Sequence, residues 1–340
     1  MRAVWFGAIS AFILACATSS ADGGSGCFMF INKVTVNGSF KNLTCYSNRT
    51  GGGSTFSRDH RWFVYQPRGV DYNSSELRIA RTHGQSERGV VAAPGAISAF
   101  ALSPDERIIA FTTYPVPRGE GIYGTWVVNV DGSGLRKISD ETITPSSDKD
   151  ELEWSPDSRR VVFRRNVSTL ITVSLDGSES RTIAVGSHPR WAPNGKLIAF
   201  QSGRDIRVVS EQGGRTRRLA EGSIGDWSPD SRRLAFLRPD RNRRTSLWLV
   251  SVRGGPPRLV AKGTGRWFDF APPLLPAWSP HARKIAYPVY GGYDNPTVLR
   301  LASLNRPGSR PLIRHRGRTI EALSWSHSGR SIFYLSDTFD

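Results

Sequence analysis

Cysteine, methionine and histidine are scarce in this chain of 340 residues, at three, two and six. No Cys or His pair stands at ligand spacing, and no loop follows the calcium-binding pattern, so no metal centre is expected. The acidic run Asp148-Lys149-Asp150-Glu151 reads as a solvated loop, and no cofactor motif is present. Also missing is an apolar run of about 20 residues, the length a spanning helix needs. No Gly-x-Ser-x-Gly sequence marks a hydrolase nucleophile. Lysine is rare too, so the net charge of +17 is carried almost wholly by arginine. A basic balance of this kind points to anionic partners, and the alternative is arginine spread over turns and solvated outer strands.

What the chain has in quantity is a repeat. An aromatic or large apolar residue is followed by Ser-Pro-Asp, one or two polar residues, a basic residue and an apolar run. The unit is clearest at Trp227-Ser228-Pro229-Asp230 with Leu234-Ala235-Phe236, and recurs at Leu102, Trp154, Trp191, Trp278 and Trp325. Phe56-Ser57-Arg58-Asp59 with Trp62-Phe63-Val64-Tyr65 is the most eroded of the seven copies. Proline presets φ for a tight turn, and Ser, Asp or Asn side chains bond nearby backbone groups. A second β-rich run follows in each copy and ends in a small-residue turn such as Asp131-Gly132 or Asp176-Gly177. Glycine there supplies the positive φ of a short hairpin. Four short strands at a spacing of roughly 40–45 residues are the signature of a propeller blade, which predicts an all-β, seven-bladed β-propeller.

The last copy runs out after its second strand, at about Leu335. Phe28 to Thr44 parallels Trp126 to Ser139, a third strand, a glycine turn and a fourth strand. The N-terminus is therefore expected to supply the outer two strands of the last blade and the C-terminus its inner two. Residues 1–16 read as an export signal, 17–26 as a flexible tether and 27–340 as one propeller domain. Removing Cys16 as a processing site leaves Cys27 and Cys45, which are expected to pair in an oxidising compartment. With a two-residue turn at Asn37-Gly38, Cys27 faces Asn48, so the pairing needs a bulge or a longer loop.

The Trp-Ser-Pro-Asp-x-[Lys/Arg]-[Ile/Val/Leu]-Ala-Phe pattern resembles the TolB-type propeller repeat of exported bacterial proteins and covers nearly all of the chain after Cys27. Ile13-Leu14-Ala15-Cys16 resembles a bacterial lipobox, which implies lipid attachment at Cys16 and a cell-envelope or periplasmic address. Leu14 stands where that pattern prefers a smaller residue, so ordinary cleavage near Ala17 or Ala21 stays open. The α/β domain that TolB carries ahead of its propeller has no counterpart, and its envelope role does not transfer without it.

On these grounds the chain is expected to be a non-catalytic, monomeric envelope scaffold that binds a protein or an anionic polymer, not nucleic acid, and is held to the membrane by a lipid anchor. Binding is expected on the face that carries the long connections, one of them Arg238 to Thr245. Its contact residues would be Arg266, Trp267, Phe268, Phe270, Tyr290 and Tyr293, with Arg243. The alternative for Trp267 and Phe270 is packing beneath their own blades. The repeat tryptophans are expected to pack between blades, and the residue before each to face the central channel. Glu153, Arg190 and Asp226 fall at that position. They form either a compensated charge cluster or the carboxylates of the rival reading, a hydrolase or lyase acting on a glycan at the channel mouth.

Overall fold

The computed structural model describes residues 29–46, 50–67, 74–84, 86–114, 122–141, 152–166, 168–263, 275–289, 297–315 and 320–337. These form seven antiparallel sheets of four strands each. Blade 1 is built from Thr50–Phe56, Trp62–Pro67, Glu76–Arg81 and Glu87–Ala92, and blade 2 from Ala96–Leu102, Ile108–Tyr114, Gly124–Asn129 and Arg136–Ser139. Blade 3 is Leu152–Trp154, Arg160–Arg165, Thr169–Ser174 and Ser180–Val185. Blade 4 is Ser187–Trp191, Leu197–Ser202, Asp205–Ser210 and Arg217–Glu221. Blade 5 runs through Ser223–Trp227, Arg233–Pro239, Thr245–Ser251 and Arg258–Ala261, and blade 6 through Ala277–Trp278, Lys284–Val289, Thr297–Ser303 and Ser309–His315. First strands of successive blades touch all the way round, blade 7 to blade 1 included, so they are innermost and the ring is closed.

Blade 7 is shared between the chain ends, as the sequence implies. Glu321–Trp325 and Ser331–Asp337 are its inner strands, and Met29–Thr35 and Phe40–Tyr46 its outer ones. The register places Ile31 opposite Leu335 and Val34 opposite Ile332. The turn differs from the two-residue expectation. Thr35 N–H bonds the Ser39 carbonyl, so the loop holds three residues with Gly38 at φ 93°, and a bulge between Ile31 and Asn32 absorbs the extra residue. Cys45 in this blade is disulfide-bonded. Cys27, its expected partner, lies outside the described residues, as does Cys16.

The repeat turn works through its serine. In blade 3 the Ser155 hydroxyl donates to Asp157 Oδ1 (2.6 Å) and accepts from Arg160 N–H (2.9 Å), while Asp157 also accepts from Arg159 N–H (3.1 Å). The same bonds recur at Ser57, Ser103 and Ser228. Three residues after the serine position the backbone is left-handed in every copy, at His60, Glu106, Ser158, Gly195, Ser231, Ala282 and Gly329. Each second strand is buried on both faces, which is why it reads as a run (Val161-Val162-Phe163, Leu234-Ala235-Phe236) rather than an alternation.

Every one of the seven apolar clusters spans two adjacent blades. The seams are therefore the core, and the repeat tryptophans lie in them, each no more than 8% exposed.

Polar clips seal the seams on the face of the tight turns. Arginines of fourth strands reach the first turn carbonyl of the next blade: Arg88 to Val130 (2.9 Å), Arg136 to Leu175 (2.7 Å), Arg217 to Val252 and Arg310 to Val36. Left-handed side chains accept a backbone N–H from the preceding blade, Ser158 from Asp105 (3.2 Å) and Ser231 from Asn194 (3.0 Å). Part of the arginine excess thus holds the ring together.

Gly177 sits on such a seam at φ 77°, and a Cβ there would lie 2.8 Å from the Ile138 carbonyl of blade 2. Gly177→Ala is expected to lower stability by about 1–2 kcal/mol through the left-handed backbone alone, with the displaced carbonyl adding to that. A shift of the urea midpoint at unchanged slope is the measurement.

Candidate functional site

The residues that precede the repeat aromatics line the inner wall as Thr55, Ala101, Glu153, Arg190, Asp226, Ala277 and Ser324. All are half-buried except Arg190, which is 7% exposed. Their main chain has a second use. Trp154 Nε1–H donates to the Ala101 carbonyl (3.0 Å), Trp227 to Arg190 (2.9 Å), Trp278 to Asp226 (3.0 Å) and Trp325 to Ala277 (2.9 Å). Each indole therefore fastens its blade to the innermost strand of the one before.

Trp191 breaks the pattern. Its indole bonds Gly195 O in its own turn (3.0 Å), and its backbone N–H donates to Glu153 Oε2 (2.7 Å). Glu153 is thereby tied to the main chain of the neighbouring blade. Asp226 Oδ1 accepts the N–H of Trp227 (2.7 Å). Enclosure by protein pushes the Asp226 carboxyl up to about 6, against the opposing pull of that hydrogen bond and of the Arg190 charge. Arg190 is buried beside it with Nη1 on the Pro189 carbonyl (3.3 Å) and Nε without a hydrogen-bond partner. Arg190 and Asp226 thus come together electrostatically, and Glu153 Oε2 bonds the main chain of blade 4.

The raised acid gives a signed expectation. A carboxyl whose folded pKa exceeds its unfolded value of 3.8 costs stability when ionised; that cost is full above about pH 6, shrinks as pH falls below it and is gone near 3.8. Asp226→Asn keeps an oxygen for the Trp227 N–H and removes the charge. The rise from 3.8 to about 6 corresponds to about 3 kcal/mol; water at the channel side lowers this to about 1–2 kcal/mol of stabilisation at pH 7. Urea unfolding at pH 7 and pH 4 checks it, since the variant's advantage should vanish at the lower pH.

Of the expected contact residues, Arg266, Trp267, Phe268, Phe270, Tyr290 and Tyr293 lie outside the described residues. Arg243 is described. It is exposed, at φ 54°, in the turn between the second and third strands of blade 5. Arg238 to Thr245 is no long insertion. The strands pair as far as Pro239 and Thr245, and Asp240 Oδ1 closes the turn by accepting from Asn242 N–H and Arg244 N–H (2.9 Å each). Among the described residues no group of three or more His, Cys, Asp or Glu side chains could hold a metal ion. No helix among them is long and apolar enough to cross a membrane.

The architecture defines the class as a seven-bladed propeller closed by a blade that both chain ends build. Among solved structures of this fold, a putative TolB from Agrobacterium tumefaciens is 17% identical, with a TM-score of 0.55 over 93% of this chain and 99% of that one. TolB from Acinetobacter baumannii is 16% identical, with a TM-score of 0.51 over 83% of this chain and 65% of that one. A putative 6-phosphogluconolactonase from Bacteroides uniformis is 14% identical, with a TM-score of 0.55 over 85% and 97%. No protein-family model and no curated protein sequence matches the chain. The likeness is one of fold: the structure is a TolB-like propeller.

Proposed function

We propose that this protein is a binding scaffold of the cell envelope that engages a protein or an anionic polymer. The observation that carries the reading is how the channel carboxylates are committed. Glu153 and Asp226 each accept a backbone N–H (2.7 Å), Glu153 from the neighbouring blade and Asp226 from the residue that follows it, so both carry structural hydrogen bonds. A rigid ring of this kind offers its connections for recognition. Arg266, Trp267, Phe268, Phe270, Tyr290 and Tyr293, with Arg243, are the proposed contact group. Export and lipid attachment at Cys16, and a Cys27–Cys45 bridge, belong to the same proposal. Affinity capture from solubilised envelope with the wild type and a Trp267→Ala/Phe270→Ala variant tests the surface. Loss of one partner in the variant supports it, and equal recovery of every partner removes it. Fatty-acid labelling of wild type against Cys16→Ser tests the anchor.

A rival reading has one observation in its favour. Asp226, its carboxyl near pH 6, lies beside the buried Arg190 with its orphaned Nε–H, a combination that suits an acid or base acting on an anionic substrate. The propeller named for 6-phosphogluconolactonase activity shares this fold. Hydrolysis of sugar lactones or glycans by wild type that is lost in Asp226→Asn and in Arg190→Gln would establish the enzyme and displace the scaffold.

A further inference from the structure

One seam departs from the others. Between blades 3 and 4 the arginine clip is not made: Arg181, paired with Thr172, stands in the place of Arg88, Arg136, Arg217 and Arg310, which pair with Ile79, Val127, Val208 and Leu301, but its guanidinium turns to Glu179 (4.0 Å). The left-handed position of blade 4 is Gly195, so no side chain meets the Asp157 N–H as Ser158 and Ser231 meet theirs. The indole of Trp191 is turned into its own turn. Two polar contacts remain across it, Trp191 N–H to Glu153 at the inner wall and Arg160 to Glu211 (3.9 Å), whereas among the described residues every other seam keeps at least one of the repeat's clips or a substitute for it. Where blade 7 meets blade 1, for example, Thr44 Oγ1–H bonds the Gly84 carbonyl (3.1 Å) and His60 Nε2 pairs with Ser324 Oγ (2.9 Å).

Where the clips are missing there is a notch of about 590 Å³, within the range of small-molecule sites. Arg159 from blade 3 and Lys196 from blade 4 stand at its walls with Gln212, and Pro156, Pro193 and Trp191 give it apolar faces. Neither cation is in an ion pair within 4 Å among the described residues. The acids present are otherwise engaged. Asp157 is held by Ser155 and the Arg159 N–H, and Glu211 lies 3.9 Å from Arg160 and bonds Gln212.

We propose that this notch binds a small carboxylate-bearing ligand of the sugar-acid class, with the Arg159 guanidinium taking the carboxylate in a two-point contact and Lys196 adding charge from the opposite wall. A saccharide suits the site better than a peptide. The walls are turns rather than a free strand edge, so a peptide backbone has no ladder to join, whereas proline and tryptophan faces suit the C–H faces of a sugar ring. The site lies on the face of the tight turns, opposite the long connections, and does not rest on the scaffold reading.

The repeat itself supplies a variant that tests this. Gly195→Ser places in blade 4 the residue found in the left-handed position of blades 3 and 5, where the added Cβ meets nothing within 4 Å. Calorimetric titration of the intact chain with trigalacturonate, neutral galactotriose and a tetra-glutamate peptide is the experiment. Trigalacturonate is expected to bind and galactotriose not. Affinity should fall about tenfold or more in Arg159→Gln/Lys196→Gln, as expected for lost charge-assisted hydrogen bonds, and likewise in the sealed Gly195→Ser variant. The sealed variant should keep a single cooperative urea transition, its midpoint lowered only as far as a left-handed residue at φ 75° requires, which separates closure of the notch from misfolding. No binding of trigalacturonate, equal binding in the charge and sealed variants, or binding of the peptide alone overturns the proposal.

Discussion

A chain that starts after residue 46 is expected not to fold into a ring at all. The loss removes the outer half of blade 7, and with it three side chains at the bottom of the exposure scale, Met29 at 1% and Ile31 and Val34 at 0%. At about 1.5–3 kcal/mol for each buried aliphatic side chain, they contribute about as much as the whole net stability of an ordinary domain, about 5–15 kcal/mol. Polar ties go as well: Asn32 Nδ2–H to Ser336 Oγ (2.8 Å), Val36 N–H to the Arg330 carbonyl (2.9 Å), and the Arg310 contact with the Val36 carbonyl. What remains of the blade, Glu321–Trp325 and Ser331–Asp337, would present an unpaired edge along buried residues, an invitation to aggregate. Far-UV circular dichroism and urea titration should report the loss of the cooperative transition, with aggregation in sedimentation. Recovery of the transition on adding a peptide of residues 29–46 would localise the defect to the clasp. A truncated chain that unfolds cooperatively near the wild-type midpoint would contradict the account.

That clasp was legible in the sequence because a blade's third and fourth strands carry their own signature. Val34-Thr35-Val36-Asn37-Gly38 reads like Val128-Asn129-Val130-Asp131-Gly132 wherever it stands in the chain. The turns were legible for a similar reason, since Ser-Pro-Asp names both the donor and the acceptor. The seams were not. Arg88 or Arg136 on an outer strand looks like any solvated charge, and the group each meets is a backbone carbonyl one blade away. The bond from Glu153 to the main-chain N–H of Trp191 is hidden for the same reason, since no side-chain pattern encodes it. The notch between blades 3 and 4 leaves one mark in the sequence, Gly195, which acquires meaning only once the repeat's clips are known; Arg181 stands at the clip position and its turn toward Glu179 is written nowhere in the repeat.

The second large effect is expected at Trp227. It is 3% exposed in the cluster that joins blades 4 and 5, against Ala192, Ala199 and Val208 on one side and Leu234 and Phe236 on the other. Truncation to alanine should cost about 3–5 kcal/mol, as for other large core aromatics. Loss of the indole donor from the Arg190 carbonyl adds about 1 kcal/mol. Trp227→Phe separates the two contributions, because most of the ring volume stays while the Nε1–H is removed. Its cost should be only about 1–2 kcal/mol. Trp191→Phe is the informative comparison. Its indole fastens nothing across the ring, only the Gly195 carbonyl of its own turn, and its inter-blade bond runs through the backbone N–H, which the substitution leaves in place. Native-state hydrogen exchange should therefore show the Trp227→Phe change loosening the inner strands of both blades 4 and 5, with Trp191→Phe confined to the Ala192-Pro193-Asn194-Gly195 turn. Equal loosening on both sides of each seam in the two variants would mean that the indole clips do not carry the coupling between blades.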